Sequence, residues 1–430
     1  MTVETLPPLP APGPPPPIAE PDLVDVELPT GLRLVAVRRP TVPLVQLRLG
    51  VPFGGATPAH TAAAELLAAT LTAGTAARDR AALDGRLADS GGTLRTVVGP
   101  ETLRVSGQAL AAALPGLLAV LADCLAGAAY PAAVVEAERA RLLDRVRITE
   151  AMPARAARTA LLRHCFGDHP ATRETPAAAE VAAVRADDLA ALHRSHLVPR
   201  GSVLVLVGDL DPAATAELAA RLFDGWRAPG PVSRPEPLPP VKGDGEPVVV
   251  HRPGLRQCEA RFATDGLPPD HPGRAALHLA EQVFGGSFSA RLTQHLRERR
   301  GWIYSGHSAV EPRLSSTLVT LQFASGPQHA RAAVEETLDE LGRLSGDRPP
   351  TAEEIADARG HAAGLAAITA STQAGLADAL HTAVLAGLGP HWPAHHADRL
   401  RTVPDDEVRA AAARLRPESF AVVLLAPEPA

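Results

Sequence analysis

Gln294-His295-Leu296-Arg297-Glu298-Arg299-Arg300-Gly301-Trp302-Ile303-Tyr304-Ser305 lies about two thirds of the way along a chain of 430 residues, and its pattern changes abruptly at the glycine. Leu292 and Leu296 stand four apart beneath a charged run, which predicts a helix ending near Arg300 with Gly301 as its left-handed stop. Trp302, Tyr304 and the later run Thr317-Leu318-Val319-Thr320-Leu321-Gln322-Phe323 are strand formers, so the segment reads as helix, tight turn and hairpin. Arg297 and Tyr304 then flank one turn and could offer a guanidinium and a phenolic hydroxyl to a single carbonyl or oxyanion. The same spacing also suits a solvated helix arginine beside a half-buried strand tyrosine. Tyrosine occurs only at Tyr130 and Tyr304, so the second is not background usage.

Working outward, Ile303–Val310 and Ser316–Phe323 read as a hairpin, and this hairpin belongs to a second half beginning after a proline- and glycine-rich stretch. That stretch, residues 228–247, holds Pro229, Pro231, Pro235, Pro237, Pro239, Pro240, Gly243 and Gly245, the composition of an extended exposed connector. Beyond it come strands at Val248–Val250 and Gln257–Phe262, helices at Gly273–Phe284 and Ser289–Arg299, the hairpin, five helical stretches and a last strand at Phe420–Leu425. Before it, Val24–Leu28, Leu32–Val37 and Leu44–Val51 read as a meander, followed by helices, a hairpin at Thr93–Val98 and Thr102–Gly107, more helices and the apolar strand Ser202–Val207. The element order recurs, which suggests a duplication. The expected fold class is α+β rather than parallel βαβ alternation. The expected units are a Pro-rich disordered arm over 1–20, a first domain over 21–227, the 228–247 linker and a second domain over 248–430.

Composition narrows the function classes. A chain of this length exceeds what one core accommodates, about 250–300 residues, so two domains are the default. A net charge of −6 gives no basic footprint, so nucleic acid is not expected as a partner. Cys124, Cys165 and Cys258 are odd in number and widely spaced, which points to buried reduced thiols rather than disulfides or a thiolate metal site. With no secretory pattern at the start and no membrane-length apolar run, a cytoplasmic protein without membrane contact is expected.

Five segments carry a resemblance to a known family. They are Pro29-Thr30-Gly31-Leu32-Arg33-Leu34, Phe166-Gly167-Asp168-His169-Pro170, Val207-Gly208-Asp209-Leu210-Asp211, Gly285-Gly286-Ser287-Phe288-Ser289-Ala290-Arg291-Leu292 and Leu296 through Ser305. In this order the chain resembles the M16B branch of the pitrilysin and insulinase metallopeptidases, over nearly its whole length after the proline-rich arm. The resemblance implies two homologous domains, each a largely antiparallel sheet packed by helices, together forming one half of a clamshell.

Active members of that family carry an inverted H-x-x-E-H motif on the first helix, whose two histidines bind zinc while the glutamate activates water. Aligned on Gly74-Thr75, the positions here read Glu65-Leu66-Leu67-Ala68-Ala69. Glu65 and Ala69 stand at the ligand positions, and Ala68, which cannot accept a proton, replaces the base. The family's third ligand, a glutamate, falls on Arg145, with Asp144 one residue away. His60 has the wrong spacing for the motif, and His193, His196, His395 and His396 read as helix and loop surface. No metal or cofactor is therefore expected in this chain.

The second half, by contrast, keeps the family's substrate-gripping pair at Arg297 and Tyr304. Bacterial two-chain versions divide the chemistry, one chain holding zinc and the other the pair. The resemblance thus implies a zinc-bearing M16B homologue as heterodimer partner, zinc in that partner, a peptide substrate, and Arg297 and Tyr304 as the residues acting on it. Gly285, Gly286, Ser287 and Phe288 stand where non-catalytic processing-peptidase subunits carry a longer glycine-rich substrate loop, making them candidate substrate-binding residues. A helix-entry turn capped by Ser287 or Ser289 is the other reading. Two rivals remain: an inert scaffold, and a module that binds peptide by strand addition without cleavage.

Overall fold

The computed structural model describes residues 22–227, 231–314 and 316–427, with Gly13 alone ahead of them. The expected proline-rich arm, apart from Gly13, and residues 228–230 of the expected linker lie outside the described residues.

The first sheet contains β1 (Asp22–Glu27), β2 (Arg33–Arg38), β3 (Leu44–Pro52), β4 (Thr93–Val98), β5 (Thr102–Leu110) and β6 (Val203–Gly208), in the order β1-β2-β6-β3-β5-β4. The first three strands are therefore not the meander expected from their spacing. β6 enters between β2 and β3, parallel to the former and antiparallel to the latter. Its residues are buried throughout, and a strand apolar on both faces is stable only when both edges are paired and both faces covered. The helices of this half are α1 (Pro58–Thr70), α2 (Arg80–Asp89), α3 (Leu114–Gly127), α4 (Ala132–Ala151), α5 (Pro153–Phe166), α6 (Ala178–Ala183), α7 (Ala186–His196) and α8 (Pro212–Leu222).

The second sheet contains β7 (Pro247–His251), β8 (Cys258–Asp265), β9 (Ile303–Pro312), β10 (Thr317–Ser325) and β11 (Ala421–Ala426), ordered β7-β11-β8-β10-β9. Its helices are α9 (Arg274–Glu281), α10 (Pro327–Ser345), α11 (Ala352–Ser371), α12 (Gln373–Leu385), α13 (Trp392–Thr402) and α14 (Asp405–Ala412). Both sheets are mixed by one parallel pairing and otherwise antiparallel, which gives the expected α+β class.

Each half lends a helix to the other. Along β2 and β6, Leu34, Ala36, Leu204 and Leu206 enter the first half's own core, while Val35, Val37, Val203, Val205 and Val207 meet Leu376, Ala377, Leu380 and Val384 of α12. In return Leu161, Leu162, Cys165 and Phe166 of α5 cover Ala263, Leu318, Ala421 and Val423 of the second sheet. The alternation of a two-residue period thus feeds one core per face. Charges fasten the exchange. Arg48 on β3 donates from Nε to Asp378 of α12 at 2.6 Å. Arg158 on α5 donates to Glu174 at 2.6 and 2.8 Å and to Glu311 of β9 at 3.0 Å. Residues 231–246 form no helix or strand, yet they are not a free tether: Ser233 Oγ donates to the Gly54 carbonyl at 2.9 Å, and the Val241 amide donates to Asp265.

Candidate functional site

Leu292 and Leu296 are buried, as their four-residue spacing predicts, and Gly301 takes a φ of +66° where the helical run stops. The run itself, Thr293–Arg299, is wound as a π-helix, a geometry that recurs at functional sites. Its wider turns close with the Arg300 amide donating to the His295 carbonyl at 3.2 Å and the Trp302 amide to the Leu296 carbonyl at 3.0 Å. The chain then enters β9, the edge strand of its sheet, with Ile303 buried and Tyr304 outward.

This turn brings Arg297 and Tyr304 together. The guanidinium lies 5.6 Å from the centroid of the Tyr304 ring on one side and 4.7 Å from that of Phe288 on the other. Tyr304 is 85% exposed and Phe288 66% exposed, while Arg297 between them in the contact is half-buried. Among the described residues the Tyr304 hydroxyl has no hydrogen-bond partner, and the sole carboxylate paired with Arg297 is its neighbour Glu298, at 3.3 Å. Both rings lie within cation–π distance of the guanidinium, and its N–H groups other than Nε carry no ion pair among the described residues. Stacking of Phe288 on Arg297 was not legible from the sequence, where Phe288 stood only in a glycine-rich stretch.

Gly285 and Gly286 are placed differently from Phe288. They end a π-helical turn over Gln282–Gly286, and a Cβ on Gly285 would stand 2.8 Å from Ser308 Oγ of β9. On Gly286 it would meet the Gln282 amide at 2.2 Å and the Glu281 carboxylate at 2.9 Å. Gly285 is buried, Ser287 half-buried, and Ser287 and Ser289 meet each other at 3.4 Å without capping the following helical run. The expected serine cap is thus absent, because the π-turn carries the chain through this corner. Beneath it Glu281 is buried, accepting from Ser308 Oγ and from Gln282, and burial raises its carboxyl above the ordinary range. One acid in an apolar helix run gave no signal of this.

In the first half, Glu65 of α1 is half-buried, its carboxyl raised by burial and partly drawn back by the Arg145 guanidinium of α4. Ala68 is buried, Ala69 exposed, and neither carries a donor atom. Asp144 turns outward to Arg147 at 3.1 Å. An acid facing a cation, flanked by alanines, does not fit zinc, and among the described residues no group of three or more His, Cys, Asp or Glu could hold a metal ion. Two of the histidines, His193 and His396, are not the surface residues expected. His193 is core rather than surface, its ring nitrogens meeting the Tyr130 hydroxyl at 2.6 Å and the Leu125 carbonyl at 2.9 Å. His60 bonds the Phe53 carbonyl at 3.1 Å and lies against His196, and burial lowers both imidazoles. His396 is stacked between Trp392 and His278, while His395 is exposed. All three cysteines are buried and free, as expected. Among the described residues no helix is long and apolar enough to cross a membrane.

Residues 183–360, which include Arg297, Tyr304 and the Gly285–Phe288 corner, match the family profile described as peptidase M16 inactive domain. Over 411 residues the chain is 26% identical to an uncharacterized zinc protease of Mycobacterium tuberculosis, covering 93% of this chain and 92% of that protein. Among solved structures it is similar to a peptidase M16 inactive domain from Pseudomonas fluorescens, with a TM-score of 0.87 at 20% identity, covering 95% of this chain and 98% of the other. It is also similar to a protease from Helicobacter pylori, with a TM-score of 0.83 at 15% identity, covering 95% and 100%. The two structural likenesses establish the fold; the profile and the sequence relatives connect the chain to M16-like zinc proteases.

Proposed function

We propose that this chain is the zinc-less subunit of a cytoplasmic two-chain M16B metallopeptidase, lending Arg297 and Tyr304 to a site whose metal sits in a homologous partner. The observation that carries the reading is the half-buried guanidinium of Arg297, within 4.7 and 5.6 Å of the Phe288 and Tyr304 ring centroids, beside a Tyr304 hydroxyl that has no hydrogen-bond partner among the described residues. Among the described residues the Tyr304 hydroxyl has no acceptor and Arg297 has only its neighbour Glu298, and an exposed tyrosine held against an arginine loses side-chain freedom. A peptide carbonyl brought to this edge would accept from both. As the carbonyl carbon becomes tetrahedral, negative charge gathers on its oxygen, and fixed donors stabilise that charge more than the ground state.

The partner's zinc would supply the activated water. This chain's own contribution is to hold the carbonyl, orient the scissile amide and exclude solvent from the face it covers. Phe288 would keep the guanidinium turned toward the substrate, and the Gly285–Ser287 corner would set the position of Phe288. The substrate class is a peptide, including a precursor or leader peptide. The alternative is an inert or merely peptide-binding homologue; the unpaired edge of β9 suits such strand addition.

Co-purification with a zinc-bearing M16 homologue, followed by steady-state peptide cleavage, separates the readings. Arg297→Ala in the complex is expected to lower kcat by about 10²–10³-fold, and Tyr304→Phe to lower it by a smaller factor, with zinc content unchanged. Turnover unaffected by both substitutions would reject the catalytic role. Peptide binding that persists without turnover in the wild-type complex would favour the alternative.

A further inference from the structure

Two adjoining cavities lie at the seam of α9, α12 and α13, on a part of the second half that the proposed peptidase chemistry does not use. One, of about 350 Å³, is lined by His271, Arg274, Trp392, His396 and Arg399 among others. The second, of about 290 Å³, shares Pro269, Arg274 and Trp392 with the first and is otherwise walled largely by Ala379, Ala383, Ala386 and Leu388. A chamber edged by charged and imidazole side chains and a more wholly apolar one therefore meet at a single arginine and a single tryptophan.

Arg274 is the anomaly. Its guanidinium lies 5.4 Å from the Trp392 ring centroid, and its Nη1 is buried with no hydrogen-bond partner. Burial pulls the group below the ordinary guanidinium range, with no neighbouring acid opposing the shift. Other charges in the lining are engaged or exposed: Asp378 accepts from Arg48 at 2.6 Å, Arg399 donates to Glu407 at 2.6 Å, and Asp270 faces solvent. Trp392 is also stacked on His396 at 4.4 Å, and His396 stacks in turn on His278 at 6.0 Å. Both imidazoles are neutral at physiological pH, burial having lowered His396 to about 3 and His278 to about 4. A buried guanidinium nitrogen without an acceptor is costly, and none of the described residues supplies one to Nη1.

We propose that the paired cavities bind a carboxylate carried on a short apolar group, the carboxylate accepting from Arg274 over Trp392 and the apolar group lying against Ala379, Ala383 and Leu388. One unpaired cation matches one negative charge, so a monoanion is favoured over phosphate or sulfate. The apolar chamber would go unused by acetate. Two sources share this chemistry: a small aliphatic acid, and the C-terminus of a peptide ending in an apolar residue.

Isothermal titration of the full chain tests it with hexanoate, acetate and hexanol, and with an N-acetylated tripeptide ending in leucine as free acid or amide. At least one of hexanoate and the peptide acid is expected to bind with a Kd of about 1 mM or tighter, with acetate about tenfold weaker and hexanol and the amide weaker still. Hexanoate alone would identify small acids as the source; the peptide acid alone would identify a peptide C-terminus. Arg274→Gln should weaken binding about tenfold or more, and Leu388→Ala should narrow the gap between hexanoate and acetate. If Arg274→Gln fails to fold, by circular dichroism, the acetate comparison and Leu388→Ala carry the test. Equal binding of acetate and hexanoate, undiminished binding in a folded Arg274→Gln, or no binding of either acid at tens of millimolar would overturn the proposal.

Discussion

On α1 and α4 of the first half, Leu66 and Leu67 are sunk into the core and Glu65 is left half-buried with the Arg145 guanidinium drawing on it. In the second half, half-buried Arg297 on its π-helical turn meets exposed Tyr304 at the start of β9, with Glu298 as the one carboxylate paired to the arginine among the described residues. The two regions share an α+β scaffold and differ in where their charges find partners. Where a charge is answered inside the chain it shapes the fold; where it is not, it is left for something from outside.

The sharpest structural form of that contrast lies at the seam. Arg158 holds Glu174 and Glu311 from opposite halves; burial raises both carboxyls, but the hydrogen bonds and charge of Arg158, together with the Arg313 charge and, for Glu311, the Thr320 hydroxyl, bring both below their ordinary range. Arg158→Leu would leave Glu311 without its arginine and Glu174 with only Arg313 and Arg155, and is expected to cost about 3 kcal/mol in denaturant unfolding. Arg145→Ala, at an exposed position, is expected to cost about 0–1 kcal/mol. A large loss for Arg145 and none for Arg158 would invert the comparison.

Acid attacks the same internal charges. Burial lowers His278 to about 4, and His381 and His396 to about 3. Below the unfolded value of about 6.5 the unfolded chain takes up protons that the folded chain refuses, so it binds more protons and stability rises with pH. Acidification from about 6.5 to 4 should therefore erode stability, each histidine contributing at most about 1.4 kcal/mol per pH unit. The stability from Glu174 and Glu311 is present above the unfolded carboxyl value of about 4.3 and is lost as pH falls through their lowered folded values. Chemical denaturation at stepped pH checks this. A flat profile between pH 6.5 and 4 would contradict it.

The smallest effects separate the two glycines from Phe288. Gly285→Ala drives a Cβ toward Ser308 Oγ and is expected to destabilise by about 1–3 kcal/mol. Phe288→Ala, at an exposed site, should leave stability within about 0.5 kcal/mol and instead weaken the hold on Arg297 by about 0.5–1 kcal/mol, read as a few-fold loss in kcat/KM of the complex. Matching effects of both on stability alone would make the whole corner structural.

Local signals in the sequence carried most of the elements. The four-residue spacing of Leu292 and Leu296, the glycine stop and the alternating hairpin placed the Arg297–Tyr304 turn, because each depends on neighbours a few residues apart. What escaped was non-local. No property of Leu44–Pro52 announces that Val203–Gly208 will enter beside it, nor do α5 and α12 reveal that each covers the other half's sheet. Arg158 reads as a surface helix residue until Glu311 is brought beside it from the far half. His193 looked like surface for the same reason, its Tyr130 and Leu125 partners lying on other elements.

The most direct test of a divided site is to measure zinc and peptide hydrolysis in the purified chain alone and then after adding a zinc-bearing M16 homologue. The chain alone is expected to hold no stoichiometric zinc and to cleave nothing, with activity appearing on mixing and falling about 10²–10³-fold when Arg297→Ala replaces the wild type. Stoichiometric zinc and unaided hydrolysis by the isolated chain would contradict it.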